Sequence, residues 1–148
     1  MSKAVMVPYE TTSHVRDHCL CLYAQRTARA LARRFDEALR SLDLTNGQFS
    51  LMMSLNRPEP AGMASVVELL GMDRTTLTAA LKPLERRGLV EAVANARDKR
   101  SRLLKLTRGG RSLLKKAVPV WRRTHAGLDR LLAGHDPGDL RTALRRLS

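Results

Sequence analysis

The sequence predicts a mainly α fold carrying one small β-wing. Three observations point there. Apolar residues recur at steps of three and four over two long stretches, near residues 12–42 and 107–132. Between them, glycines at 71 and 88 close two short helical runs. Two short runs, Leu89–Val93 and Arg102–Leu106, read as strands joined by a polar tip, ANARDKRS.

The first helix is predicted from Thr12 or Ser13 to about Leu42. Its stripe is Leu20, Ala24, Thr27, Leu31, Phe35, Ala38 and Leu42, with Arg26, Arg29, Arg33, Arg34, Glu37 and Arg40 on the other side. A second stripe, Val15, Cys19 and Leu22, lies away from the first. A helix apolar on two sides is usually buried on two sides, which points to a partner subunit. Thr45 and Gln48 then form a capping-box pattern ahead of a helix from Asn46 to about Leu55.

NRPEPAG, residues 56–62, reads as a loop. Met63–Leu70 is a short helix stopped by Gly71. DRTTLTAALKPLERRGLV, residues 73–90, opens with a helix-start Asp, closes at Gly88 and holds Pro83 in its interior. After the two strands, Thr107 can cap a last long helix with the seam Leu114, Val118, Trp121, His125, Leu128 and Leu132, interrupted by Pro119. Asp136-Pro137-Gly138-Asp139 starts a terminal helix with Leu140, Leu144 and Leu147 on one edge. Short helix, glycine turn, second helix and basic hairpin together make a winged helix-turn-helix core.

The 148 residues fit a single domain, and 43% hydrophobic content suffices for a globular core. Lys plus Arg number 27 against 14 Asp plus Glu, a net charge of +13. That imbalance suggests a polyanion, either nucleic acid or an acidic membrane surface. Aromatic residues make up only 3%, which argues against modules that stack single-stranded bases on a sheet. No apolar run approaches the roughly 20 residues of a membrane span. MSKAVMVPYE has no long apolar h-region, and two cysteines are too few for a disulfide framework. A cytoplasmic protein is the expectation. No phosphate-cradling glycine loop, full metal motif or catalytic cluster is found, so an enzyme is not expected, nor any cofactor.

In the 73–90 stretch, Leu77, Leu81 and Leu84 share the core face, and Thr75, Ala79, Lys82 and Arg86 lie opposite, flanked by Thr76 and Thr78. Such a helix start, with Arg74 in its first turn, suits a major groove. Small residues allow close approach, Thr can bond a base edge or touch a thymine methyl, and Arg can take guanine O6 and N7. Pro83 should bend the helix, confining base contacts to its first half and leaving Lys82 and Arg86 to phosphate at most. The hairpin tip crowds Arg97, Lys99, Arg100 and Arg102 with Asp98 as its only acid. An Arg on a narrow ribbon can enter a minor groove, and Asp98 would orient a neighbouring Arg. No acid occurs from Lys99 through Gly127.

Leu44-Thr45-Asn46-Gly47-Gln48-Phe49, the 73–90 stretch, and Asp98-Lys99-Arg100 with Leu106-Thr107 resemble the MarR family of transcriptional regulators over nearly the whole chain. The resemblance implies a homodimer reading a pseudo-palindromic operator in double-stranded DNA. Residues 11–44 and 108–148 would be dimerisation helices and 45–107 the winged helix. Arg74, Thr75, Thr76 and Thr78 would lie in the groove-reading helix, with Arg100 in the minor groove. Members of the family typically repress and are released by a small, often aromatic, ligand or by cysteine oxidation. Pro83 departs from the family's usual helix.

For a ligand, the resemblance points to a crevice between dimer helices and winged domain, with Tyr23, Phe49, Met53, Trp121 and His125 as lining residues; core packing explains them equally well. For redox, Cys19 and Cys21 are two apart and cannot bridge within a regular helix, whose side chains there diverge by about 200°. His14, His18 and Cys21 share a helical face at a spacing that suits zinc, but no metal site is assigned. A sequence-neutral DNA-binding protein is the remaining alternative.

Overall fold

The computed structural model describes residues 6–148. The first five residues, part of the predicted domain 1–148 and of the stretch read for a leader, lie outside the described residues. The elements are α1 (Tyr9–His18), α2 (Leu20–Leu39), a 3₁₀ turn (Arg40–Leu42), α3 (Asn46–Ser54), β1 (Ala61–Gly62), α4 (Met63–Leu70), α5 (Arg74–Arg86), β2 (Val90–Ala94), β3 (Arg102–Leu106), α6 (Arg108–Leu131) and α7 (Pro137–Leu147).

The local signals build these elements where they stand. Thr45 and Gln48 form both halves of the capping box at α3. Gly71 is left-handed at φ 63°, with the Met72 N–H on the Val67 carbonyl and the Gly71 N–H on Glu68, a Schellman close to α4. Gly88, at φ 66°, closes α5 in the same way. Thr107 and Asp136 cap α6 and α7. Both α5 and α6 run as single helices through their prolines, Pro83 and Pro119.

Three expectations need correction. The first long helix is two: Cys19, at φ −74° and ψ 107°, leaves the helical region and separates α1 from α2. It also begins earlier, at Tyr9 behind Pro8, and ends as a 3₁₀ turn. The predicted stripe is buried only at Phe35; Leu20 is 69% exposed, while Leu39, outside the stripe, is fully buried. Only the last part of α2 packs on the core, so its burial follows that contact and not the whole periodic face. Finally, the ribbon is a three-stranded antiparallel sheet in the order β1-β3-β2. Ala61 and Gly62, read as loop, pair with Leu104 and Leu103. Two residues carry no periodicity, and their partners stand 43 and 41 positions further along the chain.

The core lies under this sheet. Leu77, Leu81 and Leu84 of α5 pack with Leu39, Leu51, Met52, Val66, Leu104, Leu106 and Leu114. Burying a leucine contributes about 1.5–3 kcal/mol, so this cluster fixes α5 against α4 and the sheet. Gly110 of α6 shows how close the packing is: a Cβ there would meet the Leu89 carbonyl oxygen at 2.1 Å. The terminal helices are different. Tyr9 of α1, Leu131 of α6, and Leu144 and Leu147 of α7 are each at least half exposed, as are Met6 and Val7 ahead of α1.

Candidate nucleic-acid interface

The start of α5 is set by Asp73. Its carboxylate accepts from the Thr76 backbone N–H at 2.7 Å and from the Thr76 hydroxyl at 2.8 Å. These bonds hold the Asp73 carboxyl below the ordinary aspartate range. The Thr78 hydroxyl donates to the Arg74 carbonyl at 2.8 Å. A hydroxyl has one proton to donate. Thr76 and Thr78 therefore offer outward only acceptor lone pairs and methyl groups. The Thr75 hydroxyl has no hydrogen bond among the described residues and can both donate and accept. Arg74, Thr75, Thr76, Thr78 and Lys82 are all exposed, and Leu77 between them is fully buried. The helix start thus presents a hydrogen-bonding surface on a rigid base.

The wing tip is shaped by three short polar side chains. Asn95 accepts from the Arg97 N–H at 3.0 Å, and Asp98 accepts from the Arg100 N–H at 3.0 Å. Asn95 Nδ2 donates to the Ser101 hydroxyl at 3.0 Å, closing the tip. Asp98 thus holds its neighbour Arg100, through the backbone N–H. The guanidinium and ammonium groups of Arg97, Lys99, Arg100 and Arg102 are exposed and without an ion pair among the described residues. Lys105, by contrast, is paired across the strands with Glu91 at 3.2 Å. Four free cations on a braced ribbon make a surface for a polyanion.

The remaining sequence-derived residues are scattered. Phe49, Met53 and Trp121 line one cavity of about 500 Å³ with Leu69, Leu70 and Val118. The Phe49 and Trp121 rings stack with centroids 6.4 Å apart. His125 is 4.9 Å from Trp121 ring to ring, but its side chain faces an apolar groove beside Leu31 and Leu128. Tyr23 lies apart, in an arginine-lined groove with the Arg26 guanidinium 5.9 Å over its ring.

Cys19 is half-buried at the helix break and Cys21 is exposed, accepting from Gln25 Nε2 at 3.2 Å. The regular-helix geometry assumed for this pair does not hold at Cys19. The same break removes Cys21 from the helical face of His14 and His18, whose rings stack at 4.1 Å while His18 Nδ1 donates to the His14 carbonyl. Among the described residues, no group of three His, Cys, Asp or Glu side chains is placed to hold a metal.

One residue was missed by sequence reasoning. Arg87, at the end of α5, donates to the Asp43 carbonyl at 2.6 Å, across 44 positions of sequence. Asp43 stands in the left-handed region at φ 53°. A short-range sequence signal for this pairing does not exist.

Comparison with known proteins agrees with this geometry. The MarR family profile matches residues 44–101. The organic hydroperoxide resistance transcriptional regulator of Bacillus subtilis (strain 168) is 33% identical over 129 residues, covering 87% of this chain and 85% of the relative. The crystal structure of the M. tuberculosis transcriptional regulator MosR in complex with DNA superposes with a TM-score of 0.80 at 36% identity, covering 88% of this chain and 93% of that one. A mutant MarR from E. coli complexed with operator DNA gives 0.80 at 25% identity, over 90% and 96%.

Proposed function

The chain belongs to the MarR family of transcriptional regulators, and from that premise we propose that it acts as a homodimer binding a pseudo-palindromic operator in double-stranded DNA. The carrying observation is the pairing of two surfaces in one small domain: an exposed, Asp-capped helix start and a braced wing tip with four unpaired cations. Arg74 and Thr75 read base edges, and Thr76 and Thr78 offer acceptors and methyls. Lys82 meets phosphate, and Arg100 enters the minor groove with Arg97, Lys99 and Arg102 along the backbone. The DNA in the MosR and MarR complexes supports the partner. Residues 45–107 are the DNA-binding unit, and 11–44 with 108–148 are the dimer arms. Support for the arms comes from the exposed apolar residues of α1, α6 and α7, which a monomer would leave in water. No described helix is long and apolar enough to cross a membrane.

The regulator represses, and a small aromatic ligand releases it from the cavity of Phe49, Met53 and Trp121. Footprinting of DNA flanking the protein's own gene, with and without aromatic ligands, tests this. Two protected half-sites lost on ligand addition are expected; protection unchanged by any ligand defeats the release mechanism.

A second reading is favoured by the helix break at Cys19. It places a half-buried thiol outside regular helix two residues from the exposed Cys21, and a 33%-identical relative is an organic hydroperoxide resistance regulator. Under this reading oxidation releases the operator. Hydroperoxide should abolish the footprint of the wild type and spare that of the Cys19→Ser, Cys21→Ser double variant; equal loss in both excludes it.

A further inference from the structure

The acid-free run beginning at Lys99 is only partly used by the wing. It continues along α6, where Arg108, Arg111, Lys115, Lys116, Arg122 and Arg123 are all exposed. At 100° per residue these six fall on the side opposite the buried Gly110, Leu114 and Ala117. None makes a side-chain hydrogen bond or ion pair among the described residues. The row from Arg108 to Arg123 is about 22 Å long at ~1.5 Å per residue.

Its position separates it from the reading surface. The Thr107 N–H donates to the Leu89 carbonyl at 3.1 Å and the Thr107 hydroxyl to the Gly88 carbonyl at 2.6 Å. The start of α6 is therefore fastened to the far end of α5, about 18 Å along that helix from Arg74. The α6 row thus begins at the opposite end of α5 from Arg74 and Thr75.

We infer that the outer face of α6 is a second, sequence-neutral binding surface for duplex DNA, so that the operator-bound protein can hold a second duplex. This rests on the operator-binding reading for its first duplex. Charge complementarity selects the occupant. The exposed face between Arg108 and Arg123 otherwise holds Gly109, Ser112 and Pro119, with no large apolar side chain to anchor a protein partner. Six cations spread over about 140° of the outer helix face match a polyphosphate backbone, which carries one charge per ~1.7 Å of duplex axis.

The test mixes the protein with one equivalent of unlabelled operator per dimer and follows binding of a fluorescent scrambled duplex by anisotropy. Wild type should bind the second duplex, with affinity falling steeply as salt rises. Arg111→Gln, Lys115→Gln and Arg123→Gln together should cut that binding at least tenfold and lower the log–log salt slope by about 3. Operator affinity should stay within about twofold. Gln has a helix propensity near that of Lys and Arg, so the helix should persist; unchanged circular dichroism checks it. Failure to bind the second duplex, or equal binding by the triple variant, overturns the inference. So does binding of an acidic polypeptide such as polyglutamate with no binding of duplex. The two readings fail separately: Arg74→Ala with Arg100→Ala should lose operator preference yet still bind scrambled duplex through α6.

Discussion

The Arg87 guanidinium donates to the Asp43 carbonyl oxygen at 2.6 Å and lies 3.8 Å from the Asp43 carboxylate, joining the end of α5 to the turn that follows α2. Because the stronger contact is to a backbone carbonyl, the two partners are not equivalent. Arg87→Gln should lower unfolding stability by about 1 kcal/mol. Asp43→Asn, which keeps the carbonyl and tolerates left-handed backbone, should change it by less than about 0.5 kcal/mol. Urea unfolding at one fixed protomer concentration measures both; equal losses would contradict the backbone contact as the source.

The glycines at the start of α6 separate close approach from helix propensity. At Gly110 an added Cβ would sit 2.1 Å from the Leu89 carbonyl oxygen, and backbone must move. Gly110→Ala should destabilise by about 1–3 kcal/mol. At Gly109 the nearest atom is 3.6 Å away, ordinary contact, so Gly109→Ala should be neutral or stabilising by up to ~1 kcal/mol. A common sign in thermal unfolding would mean that the α6 start is not packed against the Leu89 backbone.

The threonines of α5 should divide between reading and structure. Thr75→Ala removes a free hydroxyl, weakening operator binding while leaving stability within about 0.5 kcal/mol. Thr76→Ala removes the hydroxyl bound to Asp73 and should lower stability as well as binding. Paired binding and melting measurements on the two variants decide; a stability loss for Thr75→Ala equal to that for Thr76→Ala would contradict the division.

Asp73 also sets an acid limit. Its folded carboxyl titrates below its unfolded value, chiefly through the Thr76 backbone bond. The folded state then binds fewer protons, so the contribution is fully present above the ordinary aspartate pKa of about 3.9 and is lost as pH falls through the lower folded value. Stability from this group should be flat between about pH 5 and 8 and decline in acid below about pH 4. Asp73→Asn should flatten part of that acid limb. An acid limb unchanged by Asp73→Asn would show that other carboxylates carry it.

Those features that local chemistry decides were legible in the sequence. Asp73, Thr107, Thr45 with Gln48, and Gly71 each satisfy helix-end groups within a few residues, and each stands where the pattern put it. The leucine face of α5 was legible for the same reason. What escaped is non-local. β1 exists because Leu103 and Leu104 pass beside Ala61 and Gly62. The Arg87 contact spans 44 positions, and no proline or glycine marks the break at Cys19. Among the site residues, the threonine types pointed to the surface, but only geometry distinguishes the free hydroxyl of Thr75 from the two committed ones.

If α5 and the wing together read a specific duplex, operator and scrambled DNA must differ in affinity. The most direct measurement is the affinity for the DNA flanking the protein's own gene against a scrambled duplex of equal length, at physiological salt, for wild type and Arg100→Ala. The wild type should prefer the operator by about 10³ or more. Two protected half-sites about one helical turn apart are expected. Arg100→Ala should weaken operator binding by about 1–3 kcal/mol. Equal affinity for operator and scrambled DNA, or an Arg100→Ala variant that binds as wild type does, would contradict it.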